Sequence, residues 1–232
     1  MDASLYQDEY IAEYNIHRQN LLSQNRFYRH RRENILDIVR PRPGEQIIDL
    51  GCGIGTVSFF LAEAGCRVIG LDISRTALTL ARQIANECSF KPPFFVVGSV
   101  TALPFKKKLT DKIIAADLTE HLDDSTLYGM LRECRDVLKT AGRLGIYTPS
   151  PTHIFESIKK RNIFIKPDHS HIGLRTMRVL KKMTIESGFI MVRSFHKTTH
   201  IPVFKTIEKI LMYLPVMGGG LKRRICLVAE KQ

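Results

Sequence analysis

Short apolar blocks recur along the central part of the chain, and most of them are followed by a segment with helical periodicity. Apolar runs typical of buried strands occupy residues 47–50, 67–72, 94–98, 111–117 and 142–148. Between them, residues 57–64, 74–88 and 125–138 carry apolar side chains at helical spacing, with Ser74 as the expected N-cap of the second segment. Strands that alternate with helices favour right-handed crossovers, so the pattern predicts a doubly wound, parallel α/β sheet.

The two ends of the chain depart from this alternation. Residues 5–40 have the pattern of two helices, and we expect an N-terminal helical lid at 1–44 and one α/β domain at 45–232. Toward the C-terminus we expect helices at 151–162, 175–187 and 203–214, a histidine-rich loop at 163–174, and last strands at 189–197 and 224–230. Insertions are therefore predicted at 150–175 and 199–222. The pattern predicts neither a signal peptide nor a membrane span.

The strongest chemical signal lies at the end of the first predicted strand. Asp49 precedes three glycines at alternate positions, Gly51, Gly53 and Gly55, and a new apolar helix follows them. Glycines allow sharp turns and close approach of a ligand, and a helix start offers unpaired N–H groups. Asp72 ends the next strand about 20 residues later, where a dinucleotide fold places the carboxylate that holds a ribose. The spacing indicates an adenosine-containing cofactor.

Two cofactor classes fit this spacing, and the details of the loop favour one of them. A nicotinamide dinucleotide site would need its third glycine at Thr56. Residues 49–55 instead read D-L-G-C-G-I-G, which resembles the first motif, D-x-G-C-G-x-G, of the class I S-adenosylmethionine-dependent methyltransferases. The third motif of that family, G-D-A-x-x-L-P-F, corresponds to residues 98–105, with Ser99 in place of the aspartate. The resemblance covers residues 45–150 well and the remainder in outline.

This resemblance implies a Rossmann-like sheet of seven strands with the last strand antiparallel, N-terminal helices and a small helical cap. It also implies that the glycines wrap the methionine part of S-adenosylmethionine, that Asp49 orients the loop and the cofactor's amino group, and that Asp72 holds the ribose hydroxyls. Ser99 is a shorter acceptor for the adenine amino group than the family's aspartate. The cofactor-binding residues implied in this way are Asp49, Gly51, Cys52, Gly53, Gly55, Asp72, Ile73, Ser99, Val100 and Asp117.

Candidate catalytic residues follow the fourth predicted strand. Transfer of a methyl group to a hydroxyl requires a proton acceptor, and imidazole suits neutral pH, so His121 with Glu120 beside it is a candidate base. His171 lies five residues before Thr176, which begins a Thr-x-x-x-Leu run as in related O-methyltransferases, and it matches the position of a histidine there, so it is the third candidate.

A metal site is an alternative interpretation of the same stretch. The D-x-x-E-H spacing of Asp117, Glu120 and His121 resembles the E-x-x-E-H of the ubiquinone-biosynthesis O-methyltransferases and the small-RNA 3′-end 2′-O-methyltransferases. In both groups a divalent ion holds the acceptor oxygens, and oxygen ligands with one imidazole would suit Mg²⁺ or Mn²⁺. Asp117 is shorter than the glutamate of those families, which does not favour a metal here.

Charge and cysteine usage change the list of partners. The 232 residues carry 35 Lys and Arg against 23 Asp and Glu, a net charge of +12. The basic residues cluster at 26–32, 106–108, 159–161, 181–182 and 222–224. Such clusters fit an anionic partner, such as RNA, anionic lipid or an acidic substrate, and they fit solvated surface charge equally well. The helix at 204–214 would either contact an anionic membrane or cover the substrate cleft. Five separate cysteines without a C-x-x-C pair suggest reduced thiols and a cytoplasmic protein.

The sequence therefore predicts a cytoplasmic S-adenosylmethionine-dependent methyltransferase that acts on an oxygen of a small or lipid-like molecule. An RNA ribose 2′-O-methyltransferase and a non-catalytic cofactor-binding module remain as alternatives. Methylation of a nucleobase amino group is not expected, because the Asn/Asp-Pro-Pro-Tyr/Phe string is absent from the end of the fourth strand. Nothing in the pattern indicates an oligomeric state.

Overall fold

The computed structural model describes residues 26–151, 171–197 and 224–232. The helices of these segments are α1 (Arg26–Val39), α2 (Thr56–Glu63), α3 (Arg75–Ala85), α4 (Asp124–Val137) and α5 (Met177–Glu186). The strands are β1 (Gln46–Leu50), β2 (Arg67–Asp72), β3 (Phe94–Val97), β4 (Thr110–Ala116), β5 (Leu138–Pro149), β6 (Phe189–Lys197) and β7 (Arg224–Lys231). A 3-10 turn, Thr119–His121, follows β4.

The seven strands form one sheet in the order β3-β2-β1-β4-β5-β7-β6. Strands β1 to β5 are parallel, and β7 is antiparallel to both β5 and β6. The predicted doubly wound, seven-stranded sheet with an antiparallel last strand is thereby confirmed. The chain reverses its direction across the sheet between β1 and β4, so ligands are expected at the carboxyl ends of these strands.

Two helical layers cover the sheet, and the alternation along β1 decides which residues face each layer. Ile48 and Leu50 pack in the cluster formed with α4 and α5, whereas Ile47 packs in the cluster formed with α1 and α2. Asp49 has the same parity as Ile47 and therefore points toward α2. A carboxyl group is thus buried beneath the glycine loop.

Element boundaries agree with the predicted ones to within a few residues, with two informative differences. Strand β5 begins at Leu138 rather than at 142, because Leu138 pairs with Thr110 before a register irregularity in which Ala141 has a φ of 58°. Helix α5 begins at Met177 rather than at 175, because the Thr176 hydroxyl accepts a hydrogen bond from a backbone N–H of the first turn.

Several predicted features lie outside the described residues. They are the first N-terminal helix, the helices at 151–162 and 203–214, and nearly all of the two insertions. All five cysteines are described and are free thiols, as the sequence predicts. Among the described helices, none combines the length and the apolar character that a bilayer crossing requires.

Candidate active site

The glycine loop connects β1 to α2, and its backbone requires glycine. Gly51 and Gly55 have φ angles of 64° and 86°, which L side chains rarely adopt. A Cβ atom on Gly51 would lie 2.7 Å from Cδ1 of Leu118, and one on Gly55 would lie 2.7 Å from Cζ of Phe95. Leu118, which follows β4, and Phe95 of β3 therefore crowd these two positions, in addition to the strain that their dihedral angles would impose on a side chain.

Asp72 ties this loop to the end of β2. Its Oδ2 accepts a hydrogen bond of 2.8 Å from the backbone N–H of Gly53, and its Oδ1 accepts one of 2.8 Å from the N–H of Ser74. Burial raises the pKa of Asp72, and the backbone donors oppose this only in part. Each carboxylate oxygen still has a second acceptor position. The carboxylate is thus fixed by the protein and can still accept hydrogen bonds from two hydroxyl groups of a ligand.

Asp49 lies below the loop and is almost fully buried. The Ser58 hydroxyl of α2 donates a hydrogen bond of 2.7 Å to its Oδ2. Burial raises the pKa of Asp49 to about 7, although the Ser58 hydrogen bond lowers it. The bond to α2 fixes the carboxyl group beside the loop, and its contact with the cofactor's amino group stays a prediction.

This carboxyl group makes the stability of the free protein pH-dependent. A carboxyl whose pKa is raised by folding stabilises the fold at low pH, and that contribution is lost as the pH rises through the folded pKa. We expect the Tm of the wild type to fall by about 5 °C or more between pH 5 and pH 8 relative to Asp49→Asn, which cannot ionise. Differential scanning fluorimetry measures this, with the exposed Asp136→Asn as control. Parallel pH profiles of wild type and Asp49→Asn would contradict the raised pKa.

The predicted adenine contacts lie at the ends of β2 and β3. Ile73 is 46% exposed directly after Asp72. The Ser99 hydroxyl lies 2.9 Å from the Thr101 hydroxyl and accepts a hydrogen bond of 3.3 Å from the Thr101 N–H. Because Asp72 pairs in register with Val97, these residues share one edge of the sheet with the glycine loop. Their contacts with adenine, like that of Val100, stay a prediction.

Asp117 forms ion pairs with two arginines, neither of which the sequence predicted as a site residue. Its carboxylate forms ion pairs with Arg31 of α1, at 2.9 Å, and with Arg224 at the start of β7. Burial opposes its ionisation, but the two guanidinium groups hold the pKa of Asp117 below its usual range. Arg224 also lies over the Tyr147 ring, 5.1 Å from its centroid. Asp117 is therefore part of a charge network between α1, β4 and β7.

The structure brings together the three predicted catalytic residues. Glu120 is 2% exposed and accepts a hydrogen bond of 2.9 Å from the Thr148 hydroxyl. Burial, with the nearby charge of Asp117, raises the pKa of Glu120 to about 8. The rings of His121 and His171 meet edge to face with their centroids 5.0 Å apart. One ligand atom of each of Glu120, His121 and His171 lies within 4.8 Å of those of the other two.

This cluster can act in two ways. Two imidazoles and a carboxyl group whose ligand atoms lie within 4.8 Å of one another can accept and pass on a proton. One oxygen and two nitrogen donors also fit a divalent ion. In that set His171 takes the place that the sequence interpretation gave to Asp117, because the carboxylate of Asp117 is bound to the two arginines. Among the described residues no other group of His, Cys, Asp and Glu meets this criterion.

Known proteins resemble this chain in sequence. A family model described as a methyltransferase domain matches residues 47–142. The chain is 28% identical over 120 residues to the ubiquinone biosynthesis O-methyltransferase of Aliivibrio fischeri (strain ATCC 700601 / ES114), covering 52% of this chain and 46% of that protein. It is 31% identical over 178 residues to squalene methyltransferase 1 of Botryococcus braunii, covering 72% of this chain and 45% of that protein. The chain spans about half the length of these curated relatives.

Solved structures show the same fold. The magnesium protoporphyrin IX methyltransferase of Synechocystis PCC 6803, crystallised with bound SAH, superposes with a TM-score of 0.64 at 20% identity, over 87% of this chain and 83% of that chain. The matched domain, residues 47–142, begins in β1 and ends in β5. It thus includes the glycine loop, Asp72 and the turn with Glu120 and His121. The domain match, the relatives and the shared fold together support a class I S-adenosylmethionine-dependent methyltransferase.

Proposed function

We propose that the protein transfers the methyl group of S-adenosylmethionine to an oxygen of a small or lipid-like acceptor. The observation that carries this proposal is the cluster of Glu120, His121 and His171 beside the glycine loop, whose ligand atoms lie within 4.8 Å of one another. Leu50 and Ala115 pair in register, so the loop and the turn leave neighbouring strands at the same edge of the sheet. Leu118, directly before the turn, packs against Gly51.

The chemistry needs alignment, exclusion of water and a destination for one proton. Bound S-adenosylmethionine supplies a methyl group on a positively charged sulfur. In our proposal His121 accepts the hydroxyl proton of the acceptor, and His171, whose ring contacts that of His121, shares the charge. Glu120 with its raised pKa adds no full negative charge beside the imidazoles at neutral pH. Arg31 and Arg224 balance the charge of Asp117.

The names of the relatives support the acceptor class. One is an O-methyltransferase of ubiquinone biosynthesis, and another is named for squalene. Both names indicate small or lipid-like substrates for those proteins. An oxygen acceptor fits a site that presents imidazoles to the reacting group, because a hydroxyl must lose its proton during transfer.

A divalent ion is the alternative way to activate such an oxygen. Glu120, His121 and His171 would hold it, and the ion would lower the pKa of the acceptor hydroxyl as a Lewis acid. The net charge of +12 also favours a second candidate function, ribose 2′-O-methylation of RNA. In that case binding to an RNA pool should fall steeply as salt rises.

The test is turnover of S-adenosylmethionine with a panel of acceptors, followed as formation of S-adenosylhomocysteine. The panel contains phenols and catechols, prenylated and sterol-like alcohols, the matching amines, and an RNA pool, each with and without a chelator. Turnover with the hydroxyl compounds and none with the matching amines supports the proposal. Turnover with RNA alone would favour the second candidate. Cofactor binding without turnover on any acceptor would leave only the non-catalytic module.

A further inference from the structure

Arg175 lies in the short stretch between His171 and α5, and it is buried with 9% exposure. Among the described residues it is the only lysine or arginine in the buried class. Its Nη1 donates to the backbone carbonyls of Thr119, at 2.9 Å, and Gly173, at 2.6 Å. Its Nη2 donates to the carbonyl of Leu122 at 2.8 Å, and Nε and Nη2 both donate to Oδ1 of Asp124.

The carbonyl partners of Arg175 enclose two of the candidate catalytic residues. Thr119 directly precedes Glu120, and Leu122 directly follows His121. The guanidinium group therefore donates hydrogen bonds to both ends of the turn that carries Glu120 and His121. A planar group with five donors in a fixed arrangement can do this, whereas an ammonium group at the end of a flexible chain cannot reach the same set of acceptors.

The same guanidinium group fixes the segment that carries His171. It binds the carbonyl of Gly173, two residues after His171, and the N–H of Gly173 donates a hydrogen bond of 2.8 Å to the carbonyl of Glu120. A Cβ atom on Gly173 would lie 1.9 Å from the carbonyl oxygen of Leu122. The backbone of this segment is thus pressed against the turn, and a residue with a side chain at 173 would push them apart.

We infer that Arg175 is a positioning residue that holds the His171 segment against the turn of Glu120 and His121, so that the three side chains meet. Its catalytic consequence rests on the proposed function. Asp124, in the first turn of α4, balances the buried charge while its own side chain is 76% exposed. Arg175 contacts backbone and Asp124 in the described residues, and it acts through the positions of the histidines.

The variant that tests this is Arg175→Lys, which keeps the positive charge and removes the planar guanidinium group with its fixed arrangement of donors. The matched control is Arg178→Lys, an exposed arginine on α5. Nitrogen-15 NMR of the imidazole rings at a fixed pH reads the surroundings of His121 and His171 without any acceptor. We expect both signals to shift or broaden in Arg175→Lys and to stay in place in Arg178→Lys. We also expect kcat to fall about 100-fold while the Kd for S-adenosylmethionine is unchanged.

Unchanged imidazole signals in a folded Arg175→Lys protein would overturn the inference. If that variant does not fold, Asp124→Asn is the second test, because it removes only the exposed side of the ion pair. It should shift the same two signals relative to the wild type, and unchanged signals would then overturn the inference. A wild type without turnover would refute the proposed function, and the imidazole signals would still decide the positioning. Shifted signals with an unchanged kcat would overturn the catalytic consequence of Arg175.

Discussion

Replacing Asp72 with alanine is expected to weaken the binding of S-adenosylmethionine by about 100-fold or more. Its two carboxylate oxygens each accept a hydrogen bond of 2.8 Å from a backbone N–H, of Gly53 or Ser74, and each can accept one more. Loss of two charge-assisted hydrogen bonds to a ribose costs about 1.5–3 kcal/mol each. The variant also removes the link between the loop and β2. Isothermal titration calorimetry measures the change.

Two further variants separate the ligand contact from the effect on the fold. Asp72→Asn keeps the size of the side chain and one carbonyl acceptor, so it should retain more of the loop structure than Asp72→Ala does. Its affinity for the cofactor should nevertheless be well below that of the wild type. Asp136→Ala removes an exposed carboxylate whose ion-pair partner is Lys107, and it should bind like the wild type. An Asp72→Ala protein with the affinity of the wild type would refute the role of this carboxylate, and a wild type that binds no cofactor would refute the entire site.

The position of the glycine loop beside Asp72, the candidate cofactor site, could be predicted because its determinants are local. Asp49, the glycines and Asp72 lie in one strand–loop–helix–strand unit, and the register between β1 and β2 alone brings Asp72 beside the loop. The structure adds a reason that no local pattern contains. Leu118 and Phe95 occupy the space that side chains at Gly51 and Gly55 would need, and both lie at least 40 residues later in the chain.

The contacts that complete the catalytic half could not be predicted, because they join residues far apart in the chain. Arg224 lies 107 residues from Asp117, and Thr148 lies 28 residues from Glu120. In the sequence Arg31 and Arg224 are members of basic clusters, whose composition is equally typical of exposed charge. Only the insertion of β7 between β5 and β6 carries Arg224 to the end of β4.

The same limit applies to the choice between base and metal ligand. In the sequence, the spacing of Asp117, Glu120 and His121 fits three ligands of one ion, because a motif contains no information on the tertiary partners of each side chain. The left-handed backbone of Asp117, with a φ of 54°, and its two arginine partners are tertiary facts. They engage this carboxylate and leave the third place in the cluster to His171. Arg175, which the pattern predicts as a helix residue, lies before α5, and its partners Thr119 and Leu122 are likewise distant in the chain.

Replacing His121 with asparagine is expected to lower kcat by a factor of about 100 to 10,000 while the Kd for S-adenosylmethionine stays unchanged. Asparagine keeps hydrogen-bonding atoms but cannot accept the proton of the acceptor hydroxyl at neutral pH. His171→Asn should also lower kcat, and because the two rings are in contact, the double variant should lose less than the product of the two single effects. His196→Asn on the edge strand β6 is the matched control.

The pH profile separates the two roles of this cluster. Phenolic acceptors ionise as the pH approaches a pKa of about 10, and an acceptor that has already lost its proton needs no base. If His121 is the base, the ratio of wild-type turnover to His121→Asn turnover should therefore fall toward one as the pH rises. In that case a chelator should leave the turnover of the wild type unchanged. If the cluster holds an ion, a chelator should abolish turnover at every pH. A His121→Asn protein with full turnover at neutral pH would refute both roles.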